Sequence, residues 1–250
     1  MSDTDPPAEA APVVPPAPAE AASDCPSCLK PPELCVCDGV TPLDNRIALL
    51  VLQHPQEQDK TLGTARLLSL HLTNAVMKVG LSWPSLAKAL GRPADPRSWA
   101  VLYLGSADAA QLAPGREVVA LTAKGELCPD QDKALAGIEG VIVLDGTWSQ
   151  AKALWWRNPW VLKCKRVILG PTRPSRYGRV RTEPRADSLS TIEAAGLLLS
   201  RLEKRPEIEV ELDATFQRML DAFKAARAKL PKPAGPKRRY VPRGRQRRKA

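Results

Sequence analysis

The sequence predicts an α/β fold on a mostly parallel sheet with flanking helices. Three observations carry this. Short apolar runs rich in β-branched residues recur along the chain. Helical patterns fall between several of them, the arrangement that covers a parallel sheet. One run, Val141-Ile142-Val143-Leu144, is followed within three residues by a helix-start signal, Thr147-x-x-Gln150.

In chain order, residues 1–24 form an Ala/Pro-rich arm with five acidic residues and no Lys or Arg, expected to be disordered for want of apolar bulk. Residues 25–40 hold four cysteines in a compact knuckle. The main domain spans 41–230, with strands at 47–53, 98–104 (ended by Gly105), 117–121, 140–144 and 166–169. Helical patterns lie at 64–71, 107–113, 130–137 and 147–157. Residues 171–186 break the pattern with three prolines, one glycine and five arginines, and read as a basic loop. A helix over 189–204, opened by Ser190-x-x-Glu193, and another over 207–229 follow. The last segment, 231–250, carries nine Lys or Arg and no acid, a tail expected to be disordered.

The net charge of +10 points to a polyanionic partner. No run of 18 apolar residues suggests a membrane span, and the N-terminus lacks the basic-then-apolar pattern of a signal peptide. A cytoplasmic protein is expected, with cysteines as thiols or metal ligands rather than disulfides.

Cys25-x2-Cys28-x6-Cys35-x-Cys37 suits a closed tetrahedral zinc site, which would also let so short a segment fold. A redox CxxC pair is the other reading, although no βαβ pattern follows directly. Asp145 falls at the carboxyl end of a strand and Thr147 at a helix N-terminus, the edge where open α/β sheets bind ligands. Asp-Gly is also a common structural turn pair.

Asp145-x-Thr147-Trp148 resembles the signature of the DTW-domain proteins, and other stretches match that family in order. These are the cysteine cluster, Gln53-His54-Pro55-Gln56-Glu57, Gly63-Thr64-Ala65-Arg66-Leu67-Leu68, Asn158-Pro159, Pro174-Ser175-x-Tyr177 and Leu189-Ser190-Thr191-Ile192-Glu193-Ala194. The resemblance covers residues 25–205. It implies a fold similar to the knotted SPOUT methyltransferases. It further implies a tRNA-uridine aminocarboxypropyltransferase that uses S-adenosylmethionine to place a 3-amino-3-carboxypropyl group on N3 of a uridine. On that footing Asp145 is the candidate general base. Gly105, Gly146, Thr147, Trp148, Ser190 and Thr191 are the cofactor-binding candidates, and Cys25, Cys28, Cys35 and Cys37 the structural zinc ligands. Arg173, Arg176, Tyr177, Arg179, Arg181 and Arg185 are the RNA-binding candidates. The expected partner is tRNA, with no membrane; the sequence does not give the oligomeric state. A SPOUT-type RNA methyltransferase and a non-catalytic RNA-binding module are the rival readings.

Glu193 is left to its capping box. Of the tryptophans, Trp155, Trp156 and Trp160 are mainly expected to pack. Deleting residues 231–250 should flatten the slope of log RNA affinity against log salt, because phosphate contacts release counterions, without changing which nucleotide is modified. An unaltered slope in filter-binding titrations would give the tail another task.

Overall fold

The computed structural model describes residues 23–102, 107–178, 180 and 189–229. Residues 1–22 of the acidic arm, Gly105, Arg179, Arg181, Arg185 and the basic tail lie outside the described residues. Among the described residues six strands form one sheet: β1 (Ala48–Gln53), β2 (Ala75–Val79), β3 (Trp99–Leu102), β4 (Val118–Leu121), β5 (Gly140–Asp145) and β6 (Lys165–Leu169). Their order is β2-β1-β5-β3-β6-β4. All pairings are parallel except that of β4 with β6. The expected mostly parallel α/β sheet is therefore present, with an antiparallel strand at one edge, where mixed sheets commonly carry one.

Among the described residues seven α-helices accompany the sheet: α1 (Ala65–His71), α2 (Leu86–Leu90), α3 (Ala109–Leu112), α4 (Gln131–Leu135), α5 (Trp148–Arg157), α6 (Thr191–Glu203) and α7 (Pro206–Lys229). Two elements were not expected from the sequence, β2 and α2. Strand β2 is an edge strand, half-buried throughout, so it lacks the dense apolar run that marks β1 and β5. Helix α2 is short, but its ends follow local rules. Ser85 caps it by accepting from Lys88 N, and Gly91 closes it in the left-handed region, φ 80°.

Side chains alternate across the two sheet faces. Leu49 and Val51 of β1 and Val141 and Val143 of β5 belong to one core layer with Leu67, Leu68, Leu198 and Phe216 of α1, α6 and α7. Leu50, Leu52, Ile142 and Leu144 belong to the opposite layer, with Leu86 of α2 and Leu154 and Trp155 of α5. Each such fully buried aliphatic side chain stabilises the fold by roughly 1.5–3 kcal/mol. Gly196 of α6 faces α7, where a Cβ would sit in ordinary contact with Leu212 Cδ1 at 3.4 Å and Glu209 Cα at 3.5 Å.

Asn158, at the C-terminus of α5, is fully buried and pins the segment before α2. Its side chain accepts from Trp83 N at 2.8 Å and donates to Leu81 O at 3.1 Å and Leu154 O at 2.7 Å. Trp155 and Trp160 pack in the core as expected, whereas Trp156 is 74% exposed.

Candidate active site and metal centre

The site forms where β1 and β5 end side by side. Gln53 and Asp145 are register partners in this parallel pair, and both continue the face covered by α6. Gln53 Nε2 donates to Asp145 Oδ2 at 2.8 Å, and the Thr191 hydroxyl at the start of α6 donates to Asp145 Oδ1. Both carboxylate oxygens are thus oriented, each keeping a further lone pair to accept another proton donor. The backbone joins in, with His54 N donating to Asp145 O at 3.0 Å.

Two helix N-termini meet beside this carboxylate, and both end in the capping boxes expected from sequence. Thr147 Oγ1 accepts from Gln150 N while Thr147 N donates to Gln150 Oε1 at 2.6 Å. Ser190 Oγ accepts from Glu193 N while Ser190 N donates to Glu193 Oε2 at 2.9 Å. Thr64 Oγ1 accepts from Ile192 N at 3.2 Å, satisfying one more first-turn amide of α6. Such termini favour anionic groups.

Asp145, Gly146, Ser190 and Thr191 line one cavity, shared with Glu57, Gly63 and Thr64. Thr147 is exposed and Trp148 half-buried, and neither lines that cavity. Lys152 Nζ lies 5.9 Å from the Trp148 ring centre, a cation–π contact. Gly146 has a packing reason to be glycine. A Cβ there would come within 2.9 Å of Gln150 Cβ, so a side chain would collide with the capping box.

The basic loop differs from expectation. Tyr177, expected to face RNA, is buried: its hydroxyl donates to Leu62 O at 2.7 Å and its ring meets Phe216 edge-on at 4.9 Å. Arg173 and Arg176 also turn inward. Arg173 pairs with Glu193, Glu209 and Asp213, and Arg176 with Asp213 at 3.1 Å. These carboxylates hold Arg173 charged. The physical reason is the acidic face that α6 and α7 present to the loop, made of residues 17–40 positions further along the chain.

Glu193 anchors that arrangement. Its side chain is fully buried and accepts from Arg176 N at 2.8 Å, Ser175 Oγ at 2.7 Å, and both N and Oγ of Ser190. Glu193→Ala should lower stability by about 3–5 kcal/mol, the scale of a broken buried ionic network. Urea unfolding reads this directly, and a midpoint unchanged from wild type would show that the network contributes nothing.

The four knuckle cysteines converge. Their Sγ atoms all lie within 4.8 Å of one another, with Cys25 to Cys37 and Cys28 to Cys35 both at 3.8 Å. Ligand bonds of about 2.3 Å in a tetrahedron set sulfur–sulfur edges of about 3.8 Å, so this donor set fits zinc in kind and in spacing. Backbone N–H groups of Cys28 and Ser27 draw the Cys25 thiol down to about 6, while burial pushes the Cys28 and Cys37 thiols up. The isolated Cys164 is buried, its thiol pushed up to about 12 by desolvation. The knuckle docks on α7, where Arg218 Nη2 donates to Gly39 O at 2.5 Å. It also reaches the site: buried Lys30 donates through Nζ to Thr61 O and Gly63 O, both at 2.8 Å.

Sequence reasoning did not single out Gln53, which meets Asp145, or Glu57, which lines the cavity; Thr191, a cofactor-binding candidate, meets the same carboxylate. Gln53 and Glu57 stand in the motif that begins at the last residue of β1, but only strand register shows that Gln53 faces Asp145.

Fold and site together define an α/β protein with a ligand cavity at the carboxyl edge of a parallel sheet, braced by a four-cysteine knuckle. The DTW domain model matches residues 22–224, and the chain belongs to the DTW domain family. It is 32% identical over 197 residues to tRNA-uridine aminocarboxypropyltransferase 2 of Macaca fascicularis, covering 78% of this chain and 61% of that protein. It is 30% identical over 194 residues to the Drosophila melanogaster protein of the same name, covering 75% and 70%. The Mus musculus protein of that name is 31% identical over 199 residues, covering 78% and 61%. The chain thus spans about three fifths of the length of the two mammalian relatives. No solved structure matches it. Among the described residues no helix is long and apolar enough to cross a membrane.

Proposed function

We propose that this protein transfers the 3-amino-3-carboxypropyl group of S-adenosylmethionine to N3 of a tRNA uridine and releases 5′-methylthioadenosine. The observation that carries this reading is the Asp145 carboxylate, held at both oxygens by Gln53 and Thr191 in a cavity beside two helix N-termini. The names of the relatives supply the reaction class.

Asp145 takes the N3 proton of uracil as general base. The N3 electron pair attacks the aminocarboxypropyl carbon bonded to sulfur. The carbon–sulfur bond breaks and its electrons stay on sulfur, which becomes a neutral thioether. The sulfonium is a good leaving group, so alignment and proton removal are what the protein must add. Gly146, Ser190 and Thr191, which line the cavity, form the donor-binding surface, with the donor carboxylate at the N-terminus of α6. Arg179, Arg181 and Arg185 meet RNA phosphate, aided by the basic tail.

Cys25, Cys28, Cys35 and Cys37 hold a structural zinc that keeps residues 25–40 folded against the main domain, 41–230. The knotted SPOUT-like threading, tRNA as partner and a cytoplasmic site of action complete the reading.

The deciding experiment incubates purified protein with S-adenosylmethionine and tRNA and identifies the nucleoside and by-product by mass spectrometry. Aminocarboxypropyl-uridine with 5′-methylthioadenosine is the expected result. S-adenosylhomocysteine would make it a methyltransferase. RNA binding indifferent to donor and to Asp145, without turnover, would make it a binding module.

A further inference from the structure

Glu57 carries a buried carboxylate oxygen, Oε1, without a hydrogen-bond partner. The residue is only 7% exposed and lines the same cavity as Asp145, Ser190 and Thr191. Asp145 and Glu193, the neighbouring acids, have their oxygens engaged by protein donors. Burying a carboxylate oxygen unpaired is costly, so its position calls for a donor that arrives from outside the protein.

The surrounding chain holds Glu57 in place. It ends the 3-10 turn Pro55–Glu57, in which Glu57 N donates to His54 O at 2.9 Å and His54 Nδ1 accepts from Gln56 N. Gln150 Nε2 donates to Gln56 Oε1 at 3.1 Å, tying the turn to α5. No described cation answers the carboxylate. Lys30, which reaches this loop, spends its ammonium on the carbonyls of Thr61 and Gly63, and Arg66 makes no ion pair with Glu57 among the described residues.

We propose that Glu57 is the receptor for the ammonium of the donor's 3-amino-3-carboxypropyl group, an inference that rests on the transferase reading above. The chemistry of the donor narrows the choice. Its sulfonium is cationic but carries no N–H, and the uracil N3–H is a neutral donor. The ammonium offers both positive charge and three donors, which a buried, unpaired carboxylate oxygen requires. Holding that ammonium fixes the donor's amino-acid end and so aims the carbon that reacts.

Calorimetry on the full chain tests this with three probes: S-adenosylmethionine, its decarboxylated form, which keeps the amine, and 5′-methylthioadenosine, which lacks the amino-acid end. Wild type should bind all three. Glu57→Gln, nearly isosteric, should weaken the two amine-bearing probes by about 10- to 100-fold, the scale of one charge-assisted hydrogen bond. It should leave 5′-methylthioadenosine unchanged, which also shows that the cavity remains folded. Glu57→Asp, charged but shorter, should lie between. An equal loss for all three probes would mean that Glu57 only shapes the cavity, and unchanged binding of the amine-bearing probes would remove it from the donor site; either result overturns the proposal. Wild type that binds no probe would instead overturn the transferase reading, and this inference with it.

Discussion

Asp145→Asn should lower transfer by about 10²–10⁴-fold, the usual cost of losing a general base, while donor and tRNA binding persist. Asparagine keeps the size of the side chain and an acceptor oxygen for the Thr191 hydroxyl. Its amide cannot take the N3 proton at neutral pH. The cost to the fold should be modest, because Gln53 can rotate its amide to present its own oxygen to the new NH₂ group. Release of 5′-methylthioadenosine in the presence of tRNA measures the rate, and calorimetry with S-adenosylmethionine measures binding. Turnover near wild type would remove Asp145 as the base. Loss of donor binding would instead give Asp145 the structural task of holding Gln53 Nε2 and the Thr191 hydroxyl.

Replacing Cys25 and Cys28 with Ser should strip the metal and unfold residues 25–40. Structural zinc contributes an apparent ~10–16 kcal/mol to small metal-dependent folds, far more than the few buried side chains of this segment, Cys28, Leu34 and Val36 among them, can replace. The damage should spread. Lys30 would lose the frame that carries it to Thr61 O and Gly63 O, and Gly63 lines the cavity. Hydrogen exchange should therefore rise over both 25–40 and 61–64, with weaker donor binding. Fresh, reductant-treated wild-type protein without zinc by metal analysis would refute the metal assignment. Exchange confined to the knuckle would refute the coupling through Lys30.

The parts of this molecule written in local sequence were legible. Strands β1 and β5 declare themselves by dense apolar runs, and α5 and α6 by capping boxes whose partners are three residues apart. The four cysteines announce a shared site because they lie within thirteen positions. What was not legible depends on distant pairing. Gln53 and Asp145 are 92 residues apart, and no spacing rule joins them before strand register is known. Tyr177 sits among arginines and prolines that suggest an outward loop, yet its ring partner, Phe216, is on α7. Arg173 and Arg176 looked like free positive charge because their carboxylate partners, Glu209 and Asp213, read only as helix residues. Strand β2, at the sheet edge, needed too little burial to stand out.

Alternation along β5 decides which side of the sheet the Asp145 carboxylate faces. Val141, Val143 and Asp145 point one way, toward α6, while Ile142 and Leu144 point toward α5. The helix that directly follows Asp145 therefore lies on the opposite face, and the carboxylate is met by Thr191, 46 residues away. Removing one residue from β5 would invert this parity. The carboxylate would turn into the tryptophan-lined layer under α5, and a core side chain would face Thr191. The pattern that keeps the core dry is thus also the address of the Asp145 carboxylate, so core packing and the layout of the cavity constrain the same register.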